Sequence, residues 1–365
     1  MKLAIVAGEA SGDLHASEVV RELKKLDPSL QTFGIGGDFL QRQGTKILYH
    51  ARDMGIVGLF NVLRNFGMFR RVFRDFMEMV ALERPDGVLL VDYPGFNLRV
   101  ARRTKELGIP VLYYISPQVW AWRRGRVKLI ERFVDRMIVV FPFEEEFYRE
   151  HRVPVTYVGH PLVEQLAMMR RAAKKPDRIR VALLPGSRGD EVKGLLPPML
   201  DAVGILRRER TTEAFIVQAP TIDHSQLQSI VKRKGIDVPI LPHDRGEAVA
   251  AADVALSSSG TATLEAAILG TPVVVMYKLS TPTYYLARWL VKVPYFSLVN
   301  IVAGKEVVPE LIQREVSGGR IAAEVRRLLA NEEDVRRELA AVKARLGEAG
   351  AARRAAEAIM STLKP

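Results

Sequence analysis

The feature that most constrains this chain is an alternation, run through twice, of short unbroken apolar segments with helical stretches. In the first half the apolar runs are Leu3–Ala7, Thr32–Ile35, Gly87–Val91, Val111–Ile115, Met137–Val140 and Val155–Val158. In the second they are Arg180–Leu184, Ala214–Gln218, Val238–Leu241, Val254–Leu256 and Val273–Met276. Strands without polar alternation are buried on both faces, as in a parallel sheet covered by helices on each side. At 365 residues the chain suits two such domains better than one. The expected class is therefore α/β, with two Rossmann-like, doubly wound domains facing a cleft. Folds of this kind bind ligands at the carboxyl ends of their strands. The charged, proline-bearing stretch Arg170–Asp177 reads as the linker. We expect an N-terminal domain over 1–170, a C-terminal domain over 171–340, and a last helix, 341–365, that packs back on the first domain.

The chemistry of the second half gathers at two turns. Ser257-Ser258-Ser259-Gly260-Thr261-Ala262-Thr263-Leu264-Glu265 follows an apolar run and opens a helix ending near Gly270. Small hydroxyl residues and a glycine there let backbone N–H groups approach a phosphate, and the helix N-terminus adds partial positive charge. Glu265 lies one turn further on, about 6 Å along the axis, at a spacing that suits ribose hydroxyls. An ordinary N-cap with a solvated glutamate fits the same residues. Pro185-Gly186-Ser187-Arg188-Gly189 is a similar turn after the first strand of this half, where arginine can pair bidentately with a phosphate. Two such turns point to a nucleotide diphosphate. Neither GxGxxG nor a GK[ST] loop is present at either turn, which disfavours nicotinamide chemistry and ATP hydrolysis.

Candidate catalysts lie in the first half. Glu9 and Asp13 follow the first strand, and Asp92 closes the strand Gly87–Val91. A carboxylate at a strand's carboxyl end can take a proton from an attacking hydroxyl. Asp13, just ahead of a helical run, also fits a cap on that helix's first N–H groups. His160 stands where the chain leaves the first half, as a base, a phosphate donor or a hydrogen-bonded hinge residue. Ser116–Arg126 sets Trp120 and Trp122 beside Arg123, Arg124 and Arg126, a pattern for binding a sugar or phosphate or for ordinary core packing.

Composition narrows the partners. The net charge of +12 favours anionic ones: nucleic acid, lipid headgroups or phosphorylated substrates. The chain has no cysteine, and its six histidines show no HExxH, so no metal site is expected. No signal peptide or spanning helix is expected. The segment 55–80 interleaves Leu59, Phe60, Phe66, Phe69 and Phe73 with Arg64, Arg70, Arg71 and Arg74, which reads as an element at a membrane surface. A core helix with a polar outer side is the alternative.

Together these segments resemble the lipid-A-disaccharide synthases, family 19 glycosyltransferases of the GT-B architecture. The matching stretches are AGEASGD at 7–13, VDYPGFN at 91–97, SPQVWAWR at 116–123, PFE at 142–144, GHPL at 159–162, LLPGSRGDEV at 183–192, SSGTATLE at 258–265 and SLVNIVAGKEVVPELIQ at 297–313. They run through nearly the whole chain in one order. The resemblance implies an inverting hexosyltransferase that joins UDP-2,3-diacylglucosamine to 2,3-diacylglucosamine 1-phosphate (lipid X). The products would be the β-1′,6-linked lipid A disaccharide 1-phosphate and UDP. Asp92 is the first candidate base and Glu9 the second. Ser187, Arg188, Ser258, Ser259, Gly260, Thr261, Glu265 and Asn300 would hold UDP. Gly8, Ser11, Gly12, Asn97, Gln118, Trp120 and His160 would line the acceptor side. The resemblance implies no cofactor and no metal, with the protein peripheral on the cytoplasmic face of the inner membrane, on an anionic lipid surface. It implies no nucleic acid partner and is compatible with a homo-oligomer. A UDP-sugar 2-epimerase of similar architecture and a non-catalytic basic binding protein are the rival readings.

Overall fold

The computed structural model describes the chain except residues 55–65, 122–123, 170–176, 243–245, 280–283, 285–293 and 365, with the backbone alone at 53, 54, 66 and 124. Two compact units emerge. The first comprises Met1–Pro161 with Glu348–Pro365, and the second Leu162–Gly347.

In the first unit seven strands form one sheet: β1 (Lys2–Ala7), β2 (Gln31–Gly36), β3 (Lys46–His50), β4 (Gly87–Val91), β5 (Val111–Tyr114), β6 (Arg136–Val139) and β7 (Val155–Tyr157). Their spatial order is β3-β2-β1-β4-β5-β6-β7, and every pairing is parallel. The second unit holds β8 (Ile179–Leu184), β9 (Thr212–Val217), β10 (Ile240–Leu241), β11 (Val254–Ser258), β12 (Val273–Tyr277) and β13 (Glu310–Ile312). Its order is β10-β9-β8-β11-β12-β13, again all parallel. Each sheet is thus doubly wound, with its strand order reversing beside the first strand: between β1 and β4, and between β8 and β11. Crossover helices diverge to opposite faces at those points and leave a crevice at the carboxyl ends.

The central strands are apolar along their length because helices cover both faces. Gly87–Val91 is buried at every position, and Leu3–Ala7 is wholly enclosed. The last helix, Ala351–Leu363, belongs to the first unit and lies on the helix Ala10–Leu26. There the Arg354 guanidinium donates to the Val158 carbonyl at 2.8 Å. Leu363 fills the space over Gly87, where a Cβ would stand 2.7 Å from its Cδ2.

Gly34 sets a stricter limit. Its φ is +148°, and a Cβ there would sit 2.0 Å from the Ile5 carbonyl oxygen on the neighbouring strand. Backbone cannot yield as a side-chain tip does. Gly34→Ala should cost at least about 3 kcal/mol, measured as a shift in the urea unfolding midpoint.

Candidate functional site

In the first unit the chemistry collects at the carboxyl ends of β1, β4 and β5. β1 runs into buried Gly8 and then exposed Glu9, the N-cap residue of the helix Ala10–Leu26. β4 runs into Asp92 and Tyr93, both left-handed at φ 45° and 47°. Three bonds hold that turn. The Tyr113 hydroxyl donates to the Asp92 carbonyl at 2.5 Å, and the Asn97 amide donates to the same oxygen at 2.7 Å and to Val91 at 3.1 Å. Asn97 is therefore a brace beneath the turn, buried completely. Gly8 has its own reason to be glycine, since a Cβ would meet the Tyr93 ring at 2.7 Å.

The Asp92 carboxyl is pushed up to about 6, first by burial and second by the negative charge of Glu9. The Tyr93 backbone N–H and His15 oppose the rise. A carboxyl poised near neutrality accepts a proton better than one at the usual value. Burial likewise pushes the neighbouring Tyr93 phenol up to about 12.

Asp13 does something different. It lies in the first turn of Ala10–Leu26 and reaches across to another helix, Asp38–Arg42. Its carboxylate accepts from the backbone N–H of Gly37 at 2.7 Å, Phe39 at 3.0 Å and Leu40 at 3.2 Å. It is a cap, on a neighbouring helix and not on its own. Asp13→Ala would orphan three N–H groups, and we expect a loss of roughly 2–4 kcal/mol in urea unfolding.

Ser11 is exposed and Gly12 buried in the same first turn. After β5, Ile115 takes a left-handed φ of 61° and the chain turns through Ser116–Ala121, with Gln118 exposed at its apex and Trp120 half-buried. Trp122 and Arg123 lie outside the described residues. The Trp120 indole N–H donates to Glu144 at 3.3 Å. Glu144 is 1% exposed, and its carboxyl is pushed up to about 8 by burial, against hydrogen bonds from Phe141, Trp120, Val140 and Ser116. His160, after β7, packs on the Phe141 ring at 5.1 Å, and burial, with a smaller effect of His15, holds its pKa down to about 3. A neutral imidazole carries no positive charge toward a phosphate.

In the second unit the two turns foreseen from sequence stand side by side at the β8/β11 reversal. Gly186 has φ +115°, and a Cβ there would be 2.4 Å from the Glu191 carboxylate and 3.2 Å from the Ser258 hydroxyl. Glu191 accepts from the Ser187 N–H at 3.2 Å and from the Arg188 guanidinium at 3.1 Å, while most of the Arg188 side chain stays in solvent. On the adjoining strand Ser258 is buried, and Ser259, Gly260 and Thr261 carry the chain into the helix Thr261–Ile268. No side chain caps that helix. Gly260 and Thr261 at its start are exposed, an arrangement suited to an anion. Glu265 is half-buried one turn along.

Asn300 takes an indirect place. Its amide donates to the Val308 carbonyl and to Glu310, and its oxygen accepts from the N–H groups of Val307 and Val308. All four of its hydrogen-bonding positions are therefore used within the protein. Glu310 in turn accepts from the N–H groups of Phe296 and Ser297, and the Ser259 hydroxyl donates to the Phe296 carbonyl at 3.2 Å. Asn300 thus steadies the Ser259 turn through Glu310.

The segment expected at a membrane divides. Phe69 and Phe73 are half-buried and pack on the core of the first unit, with Phe73 edge-on to Phe96 at 6.0 Å. Arg70 and Arg71 are exposed on the helix Phe66–Glu83. Leu59, Phe60 and the Phe66 side chain lie outside the described residues. Among those described, no helix is long and apolar enough to cross a membrane.

Sequence reasoning passed over His15, Glu144, Glu191 and Glu310. Each is a single polar residue on a helix or strand; the roles of His15, Glu144 and Glu310 appear only once a second element meets them, whereas Glu191 serves the turn just ahead of its own helix.

Comparison with known proteins gives the family. The family model for lipid-A-disaccharide synthetase matches residues 3–362. The lipid-A-disaccharide synthase of Myxococcus xanthus is 45% identical, with 100% of this chain and 98% of that protein covered. That of Geobacter sulfurreducens is 42% identical over 99% and 97%. Among solved structures, the UDP-GlcNAc 2-epimerase of Neisseria meningitidis bound to UDP-GlcNAc aligns with a TM-score of 0.66 at 14% identity, covering 99% of this chain and 100% of that one. The glycosyltransferase of kitacinnamycin aligns at 0.65 with 15% identity, over 99% and 97%. At such identities the structures share the two-domain GT-B fold and nothing finer. The match of sequence along the whole chain is the decisive one: the chain belongs to the lipid-A-disaccharide synthase family and is an enzyme of lipid A disaccharide synthesis.

Proposed function

We propose that the enzyme transfers a diacylglucosamine unit, with inversion, from UDP-2,3-diacylglucosamine to the 6-hydroxyl of lipid X. Asp92 takes the hydroxyl proton as the oxygen bonds to the donor's anomeric carbon. The bond from that carbon to the diphosphate breaks, its electron pair leaves with UDP, and a β-1′,6 linkage results. The observation that carries this reading is the Asp92 carboxyl. It sits at the strand-order reversal of its sheet, held in a braced left-handed turn and raised to about 6. Glu9 keeps that pKa up by its charge and is the second candidate base.

UDP is held by the second unit. Ser187, Arg188 and the open amides of Gly260 and Thr261 receive the diphosphate, Ser258 and Ser259 shape the turn, and Glu265 accepts from the ribose. Asn300 contributes by bracing. Arginine and the helix N-terminus offset the leaving group's charge, so turnover needs no divalent ion. Gln118, Trp120 and Ser11 line the acceptor side, with buried Gly8 and Gly12 packing the loop behind them against Tyr93 and Val91 and neutral His160 offering a hydrogen bond.

The protein works at the cytoplasmic face of the inner membrane. Exposed Arg70 and Arg71 and a net charge of +12 support binding to anionic lipid. Incubation with the donor alone and then with lipid X tests the reaction. UDP should appear only with the acceptor present, whereas UDP or a C2 epimer formed from the donor alone would favour the epimerase reading.

A further inference from the structure

We propose that Glu144 is a positioning residue for acceptor binding and acts by holding Trp120. The inference rests on the reading that places Gln118 and Trp120 beside the acceptor. The turn that carries them is poorly secured by its own bonds. It follows Ile115, a β-branched residue at φ 61°, a conformation such residues rarely take. Within it, among the described residues, are the bonds from the Val119 N–H to Pro117, from the Ala121 N–H to Gln118 and from the Ser116 hydroxyl to the Pro117 carbonyl. Something outside the turn must fix the indole.

The helix Pro142–Glu150 supplies that hold from two adjacent residues. Phe143 sets its ring edge-on to Trp120, with centroids 4.9 Å apart and planes at 80°. Glu144 takes the indole N–H on one carboxyl oxygen and the Phe141 backbone N–H on the other, each at 3.3 Å. The near end of the turn is tied to the same helix, where the Ser116 and Tyr148 hydroxyls stand 2.7 Å apart. A carboxyl enclosed to 1% exposure is costly unless its hydrogen bonds are made, and Phe141, Val140 and Ser116 share it with the indole. What the two oxygens add is a link from the helix to a second element. The result is an indole fixed edge and tip, with the rest of its surface left to pack on a sugar ring.

The test uses the full chain with Glu144→Asp, Trp120→Phe and the double variant. Aspartate remains acceptable in the first turn of a helix, but its carboxyl withdraws by one methylene from the indole. We expect Glu144→Asp to raise KM for lipid X about tenfold, the equivalent of one lost hydrogen bond, with KM for the UDP-sugar unchanged. The double variant should be no worse than Trp120→Phe alone, because both break one link. Additive effects, or an unaltered KM for lipid X in Glu144→Asp while Trp120→Phe raises it, would overturn the proposal for Glu144. If Trp120→Phe itself leaves that KM unchanged, the acceptor assignment of the turn fails, and this inference with it. A lowered unfolding midpoint with both KM values intact would mark Glu144 as structural only. Should Glu144→Asp not fold, Glu144→Gln replaces it. The amide nitrogen cannot accept an N–H, and the indole N–H resonance reports whether Trp120 has lost its partner.

Discussion

Asp92→Asn should cut turnover sharply while leaving the protein at least as stable as before. Loss of the base removes the proton acceptor for the attacking hydroxyl, and kcat should fall by roughly 10²–10⁴-fold, with UDP affinity unchanged. Stability moves the other way for two reasons. Asparagine accepts a left-handed φ of 45° as readily as aspartate does. The carboxyl also carries a desolvation cost that a neutral amide lacks. Its folded pKa, about 6, lies above the ordinary 3.8, so the folded state binds the proton more tightly. Folding stability from this group is therefore fully present below pH 3.8 and is lost as pH rises to about 6. At pH 7 the variant should gain at most about 2 kcal/mol, discounted for the solvent that reaches the side chain. The same pKa sets the activity profile. In the wild type kcat/KM should rise with pH through about 6 as the base form appears. Thermal unfolding and a pH–rate profile check both halves, and a variant that is less stable and still active would remove Asp92 from its role.

Arg188→Ala should weaken UDP and UDP-sugar binding by about a hundredfold, because a charge-assisted pairing with the diphosphate is lost. The fold should hardly notice. Arg188 is largely exposed, and its pair with Glu191 is a surface one, so unfolding should shift by less than about 1 kcal/mol. Calorimetric titration with UDP measures the first effect and urea unfolding the second. The contrast between them is informative: unchanged UDP affinity would leave the diphosphate to the Ser259–Thr261 turn alone.

The central strands of both sheets were legible in the sequence because parallel strands covered on two faces read as continuous apolar runs. Two strands were not. Lys46–His50 and Glu310–Ile312 each lie at one of the two outer edges of their sheets, at β3 and β13. The first mixes charged and apolar residues and is nowhere fully enclosed, and the second is three residues long behind a proline. An edge strand is paired on one side only, so the signal of double burial is missing. The two turns at the β8 and β11 ends were legible as turns because small residues between a strand and a helix carry local information. The roles of Asp13 and Asn300 were not. A side chain's fate among several possible partners depends on which elements the fold brings beside it, and Asp13 caps a helix that begins 25 residues further on. The same limit hid Glu144, whose partner Trp120 lies on another strand's loop.

The central claim is the transfer itself, and the most direct measurement is the structure of the product. Purified enzyme in mixed micelles with UDP-2,3-diacylglucosamine, lipid X and excess EDTA should yield one disaccharide monophosphate per UDP released. Proton and carbon NMR of that product should show a β anomeric linkage to the 6-position of the acceptor sugar. A product with retained α configuration, a linkage elsewhere on the ring, or turnover that stops in EDTA would contradict the account.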